Sequence, residues 1–458
     1  MGSWAATPAA GFANPPARAT GPLALQVRLA VLTVALLPLN WVMGTTLLWV
    51  YLVTAVALLA PERPSGLELA LGALAGALVL GLMVAILTAS PGDRVIASLY
   101  NLTIIAVMAG CLNLGRKLQA RSAQGLERLY RTAHAIFLVQ IAMVALVTVA
   151  VSGSSEPEVA FRTLVLGLLG ELPGVLAQYS KFRVAETDWT SDGPEPRIVG
   201  FGVYATEGAI LLLLTGLLAV AHAARRGRRG RVLVYEGLIV VALIAMASRT
   251  TLLAYVASLA LLPALLGRRV GIAALALAPL GIVGAGLAVA HGTDLAAAAF
   301  GSLNESRPGS SGTRFLSYAT AIRMVLDANI LTGLGIKPVD ETLMLIPIGS
   351  HSTLVSMFTK GGLVALAALL CLYATLLAGV ARSQIALLGG AFAREPARRL
   401  ELVCLARGTL ALMMWWLTED FDAPAHQAAI GGLFLGLFCG CLRAATAPRR
   451  RALWPGPA

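Results

Sequence analysis

The sequence predicts an all-α fold, a polytopic membrane protein of about twelve transmembrane helices. Hydrophobic residues make up 58% of the 458-residue chain and charged residues only 13%, and the mean hydropathy is +0.80. A soluble domain carries about 25% charged residues, so this chain cannot hide its apolar surface in a water-soluble core. Its apolar runs approach the roughly 20 residues that cross a bilayer as a helix, without the alternation typical of barrel strands.

Twelve apolar runs define the predicted spans. They lie near 24–39, 44–60, 67–89, 95–114, 132–152, 200–223, 232–247, 251–266, 270–290, 353–380, 403–418 and 427–443. Residues 1–22 are rich in Ala, Gly and Pro and hold little charge, so we predict a disordered cytoplasmic tail there. Residues 23–443 form a single transmembrane domain, and 444–458 form a second cytoplasmic tail.

Basic residues predict the orientation of the spans. Arginine and lysine gather in the connectors 115–131 and 224–231, between spans ten and eleven, and after the last span. Cytoplasmic connectors carry an excess of these residues, and all of these connectors are cytoplasmic if the N-terminus is. The formal net charge of +12 therefore reflects orientation in a lipid bilayer and does not predict nucleic acid as a partner.

Two long segments fall on the opposite, outer side. The first, 153–199, contains an amphipathic stretch, 157–180, in which Arg162, Glu171 and Pro173 favour a helix lying at the membrane interface over a span. The second, 291–352, is the longest non-spanning part of the chain. Because long ordered loops often carry function, we predict that the chemistry takes place there.

Cations on the outer side run against the charge bias of membrane proteins and need an explanation. A binding site for an anionic group is one explanation. The cations predicted to lie there are Arg197, Arg249, Arg307, Arg314, Arg323, Lys337 and Lys360.

Arg314 is the strongest of these candidates. It closes the segment 311–314, at the predicted N-terminus of a helix that runs to about residue 328. A helix N-terminus beside a guanidinium suits a diphosphate, although an exposed charge in a loop would have the same pattern. Arg249, in a short turn between spans, and Arg197, at the start of span six, have a second interpretation as interfacial anchors.

Three further side chains could carry chemistry. His351 precedes span ten and is a candidate general base, a diphosphate donor, or a structural residue. Lys360 lies about 13 Å further along that helix, where it would face a polar cavity or a partner carboxylate. Glu419 belongs to an acidic loop with Asp420 and Asp422. Its carboxylate could deprotonate a hydroxyl, and a solvated loop is the other interpretation.

The order of these residues over about 245–380 resembles one family. The matching residues are Ser248-Arg249 at the start of a span, Arg314 followed by Tyr318 and Ala321, the run Ile330-Leu331-Thr332-Gly333-Leu334-Gly335, His351, and Lys360-Gly361-Gly362-Leu363, with Pro196-Arg197 before Gly200-Phe201 as a further match. They resemble motifs of the O-antigen ligase and O-antigen polymerase superfamily of bacterial surface polysaccharide and lipopolysaccharide assembly. Ser352 departs from the family, which usually has Asn after the histidine.

The resemblance implies glycosyl transfer at the outer face of the bacterial inner membrane. The donor would be a glycan on polyprenyl diphosphate, typically undecaprenyl diphosphate, and the acceptor a sugar hydroxyl of a glycan or glycolipid. The transmembrane domain would be catalytic and would need no metal or cofactor. The residue roles that follow are Arg314 and His351 in catalysis, Arg197, Arg249 and Arg314 at the diphosphate, and Lys360, Tyr318 and Glu419 as secondary candidates.

Several alternatives stay open. Ligase and polymerase share these motifs, and we slightly favour a polymerase because no core-lipid acceptor can be inferred. His351 could serve as a base or as a phosphate ligand. A secondary transporter or a lipid-linked glycan flippase also commonly has twelve spans with both termini inside. Transporters tend to have internal repeats and ionisable residues deep in their spans, and the sequence shows neither clearly.

Overall fold

The structure is a computed structural model that describes residues 22–59, 63–88, 90–151, 159–170, 177, 179–187, 196–263, 308–339, 347–420 and 425–447. Within these residues the chain is mostly helical. The predicted helical membrane fold is confirmed at this level.

The described elements begin and end as follows. The helices are α1 (Pro22–Ala35), α2 (Leu37–Met43), α3 (Thr46–Leu58), α4 (Gly66–Leu87), α5 (Gly92–Arg121), α6 (Ala123–Val151), α7 (Leu164–Leu169), α8 (Ala205–Arg225), α9 (Arg229–Ala245), α10 (Arg249–Ser258), α11 (Pro308–Ala328), α12 (Thr353–Leu388), α13 (Pro396–Thr418) and α14 (Ala425–Thr446). The strands are β1 (Val159–Arg162), β2 (Lys181–Thr187) and β3 (Pro196–Ile198).

The predicted count of about twelve spans is not confirmed. In the described part of the chain, seven helices are long and apolar enough to cross a bilayer, namely α4, α5, α6, α8, α12, α13 and α14. The pair α1–α2 is bent by 62° and makes an eighth if it forms one broken span. The helices over 46–58 and 249–261 are apolar but short, and the predicted span 270–290 lies outside the described residues.

α8 lies at the centre of the bundle. Nearly all of its apolar segment is buried, and most of α13 and α14 is buried too. α5 and α14 approach closely because Gly115 and Gly436 lie against each other's backbone, as small residues do between membrane helices. α4, α6 and α12 instead expose apolar side chains such as Leu87, Val149 and Leu377. These peripheral helices therefore present an apolar surface that suits lipid.

α12 is broken in its first third by two glycines with non-helical backbone angles, Gly361 and Gly362. The segment 329–335 replaces the hydrogen bonds that the break removes. Its amides at Leu334 and Gly335 donate to the carbonyls of Thr359 and Lys360 (2.8 and 3.0 Å), and its carbonyls at Ile330 and Leu331 accept from the amides of Leu363 and Val364 (2.9 and 3.2 Å). The first part of α12, 353–360, is thereby fixed to the end of α11.

Glycines also allow the junction between 329–335 and the break in α12 to pack closely against α4. Gly335 has a φ of +71°, and a side chain there would collide with the backbone of Gly81. Gly81 in turn lies directly against the carbonyl of Lys360. Three segments that are distant in sequence therefore meet here without room for a methyl group.

The predicted interfacial helix over 157–180 is wrong for most of its described residues. Among the described residues of this stretch only α7 is α-helical, and β1 pairs with β2, which pairs with β3, in an antiparallel sheet. Phe161 stacks on Phe182 with ring centroids 5.1 Å apart, and Phe182 also packs against Trp41 of α2. Phe182 and Val184 alternate with charged neighbours, which is the period of a strand.

The predicted tails lie almost entirely outside the described residues. Pro22 already begins α1, and α14 continues to Thr446, beyond the predicted end of the last span at 443. The outer segment 291–352 is described from residue 308 to 339 and from 347 onward. The helix predicted to end at about 328 is confirmed as α11, but it begins at Pro308, so Arg314 lies in its second turn and the predicted position of Arg314 at the helix N-terminus is wrong.

Candidate functional site

α12 and α13 place the candidate site at one end of the bundle. The connector 389–395 joins these two helices and contains or is flanked by arginines at 382, 394, 398 and 399. His351 precedes α12, and Glu419 and Asp420 follow α13. α13 has 23 residues, so it is about 34 Å long at 1.5 Å per residue. The histidine and the two carboxylates therefore lie about one membrane thickness away from the arginines.

Seven side chains from five segments meet at this end, and we call them the His351–Glu419 cluster. α11 contributes Arg314 and Tyr318, the segment after it Lys337, the loop before α12 His351, α12 Lys360, and the residues after α13 Glu419 and Asp420. The structure thus brings together the five predicted site residues Arg314, Tyr318, His351, Lys360 and Glu419, with Lys337 from the predicted outer cations and Asp420 from the predicted acidic loop.

Glu419 lies at the centre of the cluster. Its carboxylate oxygens are 3.8 Å from Arg314 Nη2 and 3.7 Å from His351 Nδ1, so neither contact is a full hydrogen bond. Its Oε1 is buried and accepts no hydrogen bond from the described residues. The hydroxyl of Thr353 donates to the Glu419 carbonyl at 2.6 Å. Because Glu419 is only 8% exposed, the solvated-loop interpretation of this residue is wrong.

His351 has a backbone conformation that its neighbours must hold. Its φ is +66°, in the left-handed region that residues other than glycine rarely adopt. The Tyr318 hydroxyl donates to the His351 carbonyl at 2.6 Å, and the Gly349 amide donates to Ser317 Oγ at 3.0 Å. Burial raises the pKa of Tyr318 to about 12, so the hydroxyl remains a donor. Backbone strain held in this way is common at functional sites.

Asp420 forms the buried side of the cluster. Its Oδ2 lies 2.6 Å from Lys337 Nζ, and both side chains are nearly buried. Burial alone would raise the pKa of Asp420, but the charges of Lys337 and Lys360 outweigh it and hold this pKa below its usual value. Lys360 itself is 2% exposed. The charge of Lys360 thus acts on the Asp420 carboxylate, which favours the partner-carboxylate alternative for Lys360.

The cluster holds more permanent positive charge than negative. Arg314, Lys337 and Lys360 are three cations against the two carboxylates, before the imidazole is counted. Arg314 and His351 are 34% and 39% exposed, so the positive side is open to a ligand. The cluster can therefore bind an anion next to an acid–base pair. In the described part of the chain, no three His, Cys, Asp or Glu side chains come close enough to hold a metal ion.

The other two predicted diphosphate ligands, Arg197 and Arg249, are not members of the His351–Glu419 cluster. Arg197 lies in β3 rather than at the start of α8, 3.7 Å from Glu186 of β2. Arg249 is the first residue of α10 and follows the buried Ser248. Arg307, which is predicted only as one of the outer cations, lies outside the described residues.

The sequence analysis missed buried charges inside the helices. Arg407 of α13 is 1% exposed and donates two hydrogen bonds to Glu236 of α9, which also accepts one from the Tyr255 hydroxyl. Glu207 of α8 lies 3.8 Å from His426 of α14, and both are buried. The expectation of no clear ionisable residues deep in the spans is therefore wrong. The signal in the sequence was that Glu207, Glu236 and Arg407 each lie within a separate predicted apolar run.

Comparison of the chain with protein-family models and with curated proteins found no match. The likeness to O-antigen ligases and polymerases therefore rests on short motifs. The function has to be argued from the His351–Glu419 cluster.

Proposed function

We propose that this chain transfers a glycan from a polyprenyl diphosphate carrier, such as undecaprenyl diphosphate, to a sugar hydroxyl. It would do so at the outer face of a bacterial inner membrane, as a polymerase or ligase of surface polysaccharide such as O-antigen. The observation that carries the proposal is the convergence of Arg314 and His351 on Glu419. This convergence combines an anion-binding cation with an acid–base pair, which are the two functions needed to displace a lipid diphosphate.

His351 is the general base in this proposal. Its imidazole is 39% exposed and can reach a substrate, whereas the Glu419 side chain is 11% exposed and lies behind it. Nδ1 faces Glu419, which leaves Nε2 for the acceptor hydroxyl. The imidazole takes the hydroxyl proton while the acceptor oxygen bonds to the anomeric carbon. Glu419 then stabilises the imidazolium, as the aspartate does in a Ser-His-Asp triad.

Arg314 binds the diphosphate in this proposal. As the acceptor oxygen attacks, the bond between the anomeric carbon and the diphosphate oxygen breaks, and that oxygen keeps the electron pair. Arg314 is placed to take this growing charge, and removal of one such preorganised donor costs about 10²- to 10³-fold in rate. Attack from the face opposite the leaving group inverts the anomeric centre. Arg249 stays a predicted second ligand of the diphosphate, and Arg197, which already pairs with Glu186, is the weaker candidate.

A transporter or lipid-linked glycan flippase is the second candidate, and one observation favours it. The pairs Arg407–Glu236 and His426–Glu207 place ionisable side chains on α13, α14 and α8, which are mostly enclosed by the bundle. Ionisable residues in such positions often mark ion or substrate pathways. Both pairs lie outside the His351–Glu419 cluster, so substitutions can separate the two functions.

The first test is to delete the gene in its host and to size two pools, the surface glycan and the glycan still on polyprenyl diphosphate. Long lipid-linked chains that never reach the surface acceptor would identify a ligase. Single repeat units on the lipid would identify a polymerase. Unchanged pools would contradict glycosyl transfer.

Complementation then tests the residues. Arg314→Ala and His351→Ala should reproduce the deletion although the protein is made and inserted. Arg323→Ala is the matched control, because it removes an exposed arginine of the same helix outside the cluster. Loss of function in the control as well, or restoration by His351→Ala, would contradict the proposed roles. Loss confined to Arg407→Met and His426→Ala would favour the transporter.

A further inference from the structure

We propose that α11 and the two residues that follow its end, Ile330 and Leu331, are seated in the bilayer interface, with one apolar stripe in contact with lipid acyl chains. The stripe consists of Leu316, Ile322, Leu326, Ile330 and Leu331, which are 41–58% exposed. From the sequence, this helix is predicted to lie in a long outer loop.

α11 has two distinct faces. Ser317, Ala321 and Val325 are buried and recur every four residues, and this face packs against Ile348 and the start of α12. Leu316, Ile322 and Leu326 lie on the exposed side. A helix that is buried on one side and exposes Leu316, Ile322 and Leu326 on the other leaves this stripe without a partner among the residues that the structure describes. The exposed Arg323 beside the stripe is a typical snorkelling residue of an interfacial helix.

The stripe is continuous with a surface that already faces lipid. Ile330 and Leu331 are joined by backbone hydrogen bonds to Leu363 and Val364, which are both 42% exposed on the spanning helix α12. The next surface is the exposed apolar end of α4, since Gly81 contacts the same junction. No polar side chain separates Ile330 and Leu331 from these residues in the backbone ladder. Lipid that covers Leu363 and Val364 of α12 must therefore also cover Ile330 and Leu331, the C-terminal end of the stripe.

The depth of the junction follows from helix geometry. The stretch of α12 from Leu363 to Arg382 is about 28 Å long, close to the roughly 30 Å of bilayer hydrocarbon. If Arg382 lies at one membrane surface, Leu363 lies at the edge of the hydrocarbon near the other. The break in α12 then coincides with the bilayer surface. α11 extends from this depth, which is where an interfacial helix lies.

The position of α11 in the bilayer interface also indicates how an anionic lipid reaches the His351–Glu419 cluster. This consequence rests on the proposed function. Arg314 and Tyr318 lie on α11 and face His351 and Glu419. A lipid held in the bilayer would present its charged headgroup at the level of these residues. The headgroup could then enter alongside α11 without leaving the membrane.

Spin-label accessibility tests the seating directly. Leu326→Cys, and Asp327→Cys as the matched neighbour, would be made in a cysteine-free version of the full chain and labelled with a nitroxide in liposomes. The label at 326 should collide more often with oxygen, which concentrates in lipid, and less often with a water-soluble nickel chelate. The label at 327 should show the reverse. A second pair of labels, at Ile322 and Arg323, keeps the test available if Leu326→Cys does not fold.

Equal, water-like accessibility at 322 and 326 would overturn the proposal. A lipid-like pattern would support it whether or not the protein transfers glycans. If glycan transfer is also found, Leu326→Glu should raise KM severalfold for a long-chain lipid donor and leave a short-chain, water-soluble donor unaffected. An equal loss with both donors would contradict the lateral entry route. A lipid-like pattern without any transfer activity would mean that only the proposed function fails.

Discussion

The role of Glu419 gives the sharpest prediction. Glu419→Gln keeps the size of the side chain and removes its charge. At 3.7 Å and an effective dielectric constant of about 20, the attraction between Glu419 and a protonated His351 is about 4.5 kcal/mol. His351 is 39% exposed, and solvent screening reduces this attraction to about 2–3 kcal/mol. If the imidazole gains its charge in the transition state, Glu419→Gln should slow turnover about 30- to 150-fold.

The effect on stability should be much smaller. Arg314 and His351, the two partners of the carboxylate, are both more than a third exposed, so loss of their counter-charge costs about 0–1 kcal/mol. An uncharged amide is also easier to bury than a carboxylate. We therefore expect a slow enzyme with a normal yield of folded protein and an almost unchanged unfolding temperature.

The assay measures initial rates of glycan transfer in proteoliposomes that contain the lipid-linked donor and an acceptor. Because Glu419 acts through His351 in the transition state, kcat should fall while KM stays close to the original value. Glu395→Gln is the control, since it removes a carboxylate that is 54% exposed and paired with Arg398 at the opposite end of α13. A rate for Glu419→Gln within about threefold of the original, in folded protein, would refute the reasoning.

Three further substitutions test the His351–Glu419 cluster and the contact between α4 and α12. Tyr318→Phe removes the hydroxyl that holds the histidine carbonyl, and it should lower stability by about 1 kcal/mol and reduce turnover, measured by thermal unfolding and by the transfer assay. Gly81→Ala drives a methyl group into the backbone of α12 and should abolish the folded protein in size-exclusion profiles, whereas Gly76→Ala, in an open part of the same helix, should be neutral or stabilising. Asp420→Asn strands the buried charge of Lys337 and should cost about 3–5 kcal/mol. Because folding lowers the pKa of Asp420, its stabilising effect is present above the usual pKa of 3.8 and should fade as the pH drops below it, which unfolding scans over a pH series would detect.

The membrane helices were predictable because their apolar composition leaves few alternatives. Their ends were less predictable, since charged residues continue some helices beyond the hydrocarbon. α5 runs on to Arg121 because Arg116 pairs with Glu68 of α4 at 2.9 Å and stays buried. A sequence shows that such a charge exists but not that a partner on another helix neutralises it.

The residues of the candidate site could be predicted from the sequence, but the contacts between them could not. Arg314, His351 and Glu419 could be selected because their residue types suit the chemistry and lie outside the apolar runs. The Lys337–Asp420 pair joins two segments whose proximity depends on how α11, α12 and α13 pack. The sheet was missed because its strands are short and one pairing crosses a long intervening loop. Such contacts depend on tertiary packing, which no local pattern encodes.

The break in α12 bears on how the chain is inserted during synthesis. In the folded protein the segment 329–335 satisfies four backbone groups at the break. An unpaired backbone amide or carbonyl costs several kcal/mol in hydrocarbon, so these groups must stay paired while α12 passes through the membrane interior during insertion. Before the segment 329–335 docks on α12, a continuous helix through Gly361 and Gly362 has the lower free energy. α12 should therefore enter the membrane as one unbroken helix and bend afterwards, as 329–335 docks. We therefore expect the arrangement that brings Lys360 near Asp420 to form late, when 329–335 docks on α12.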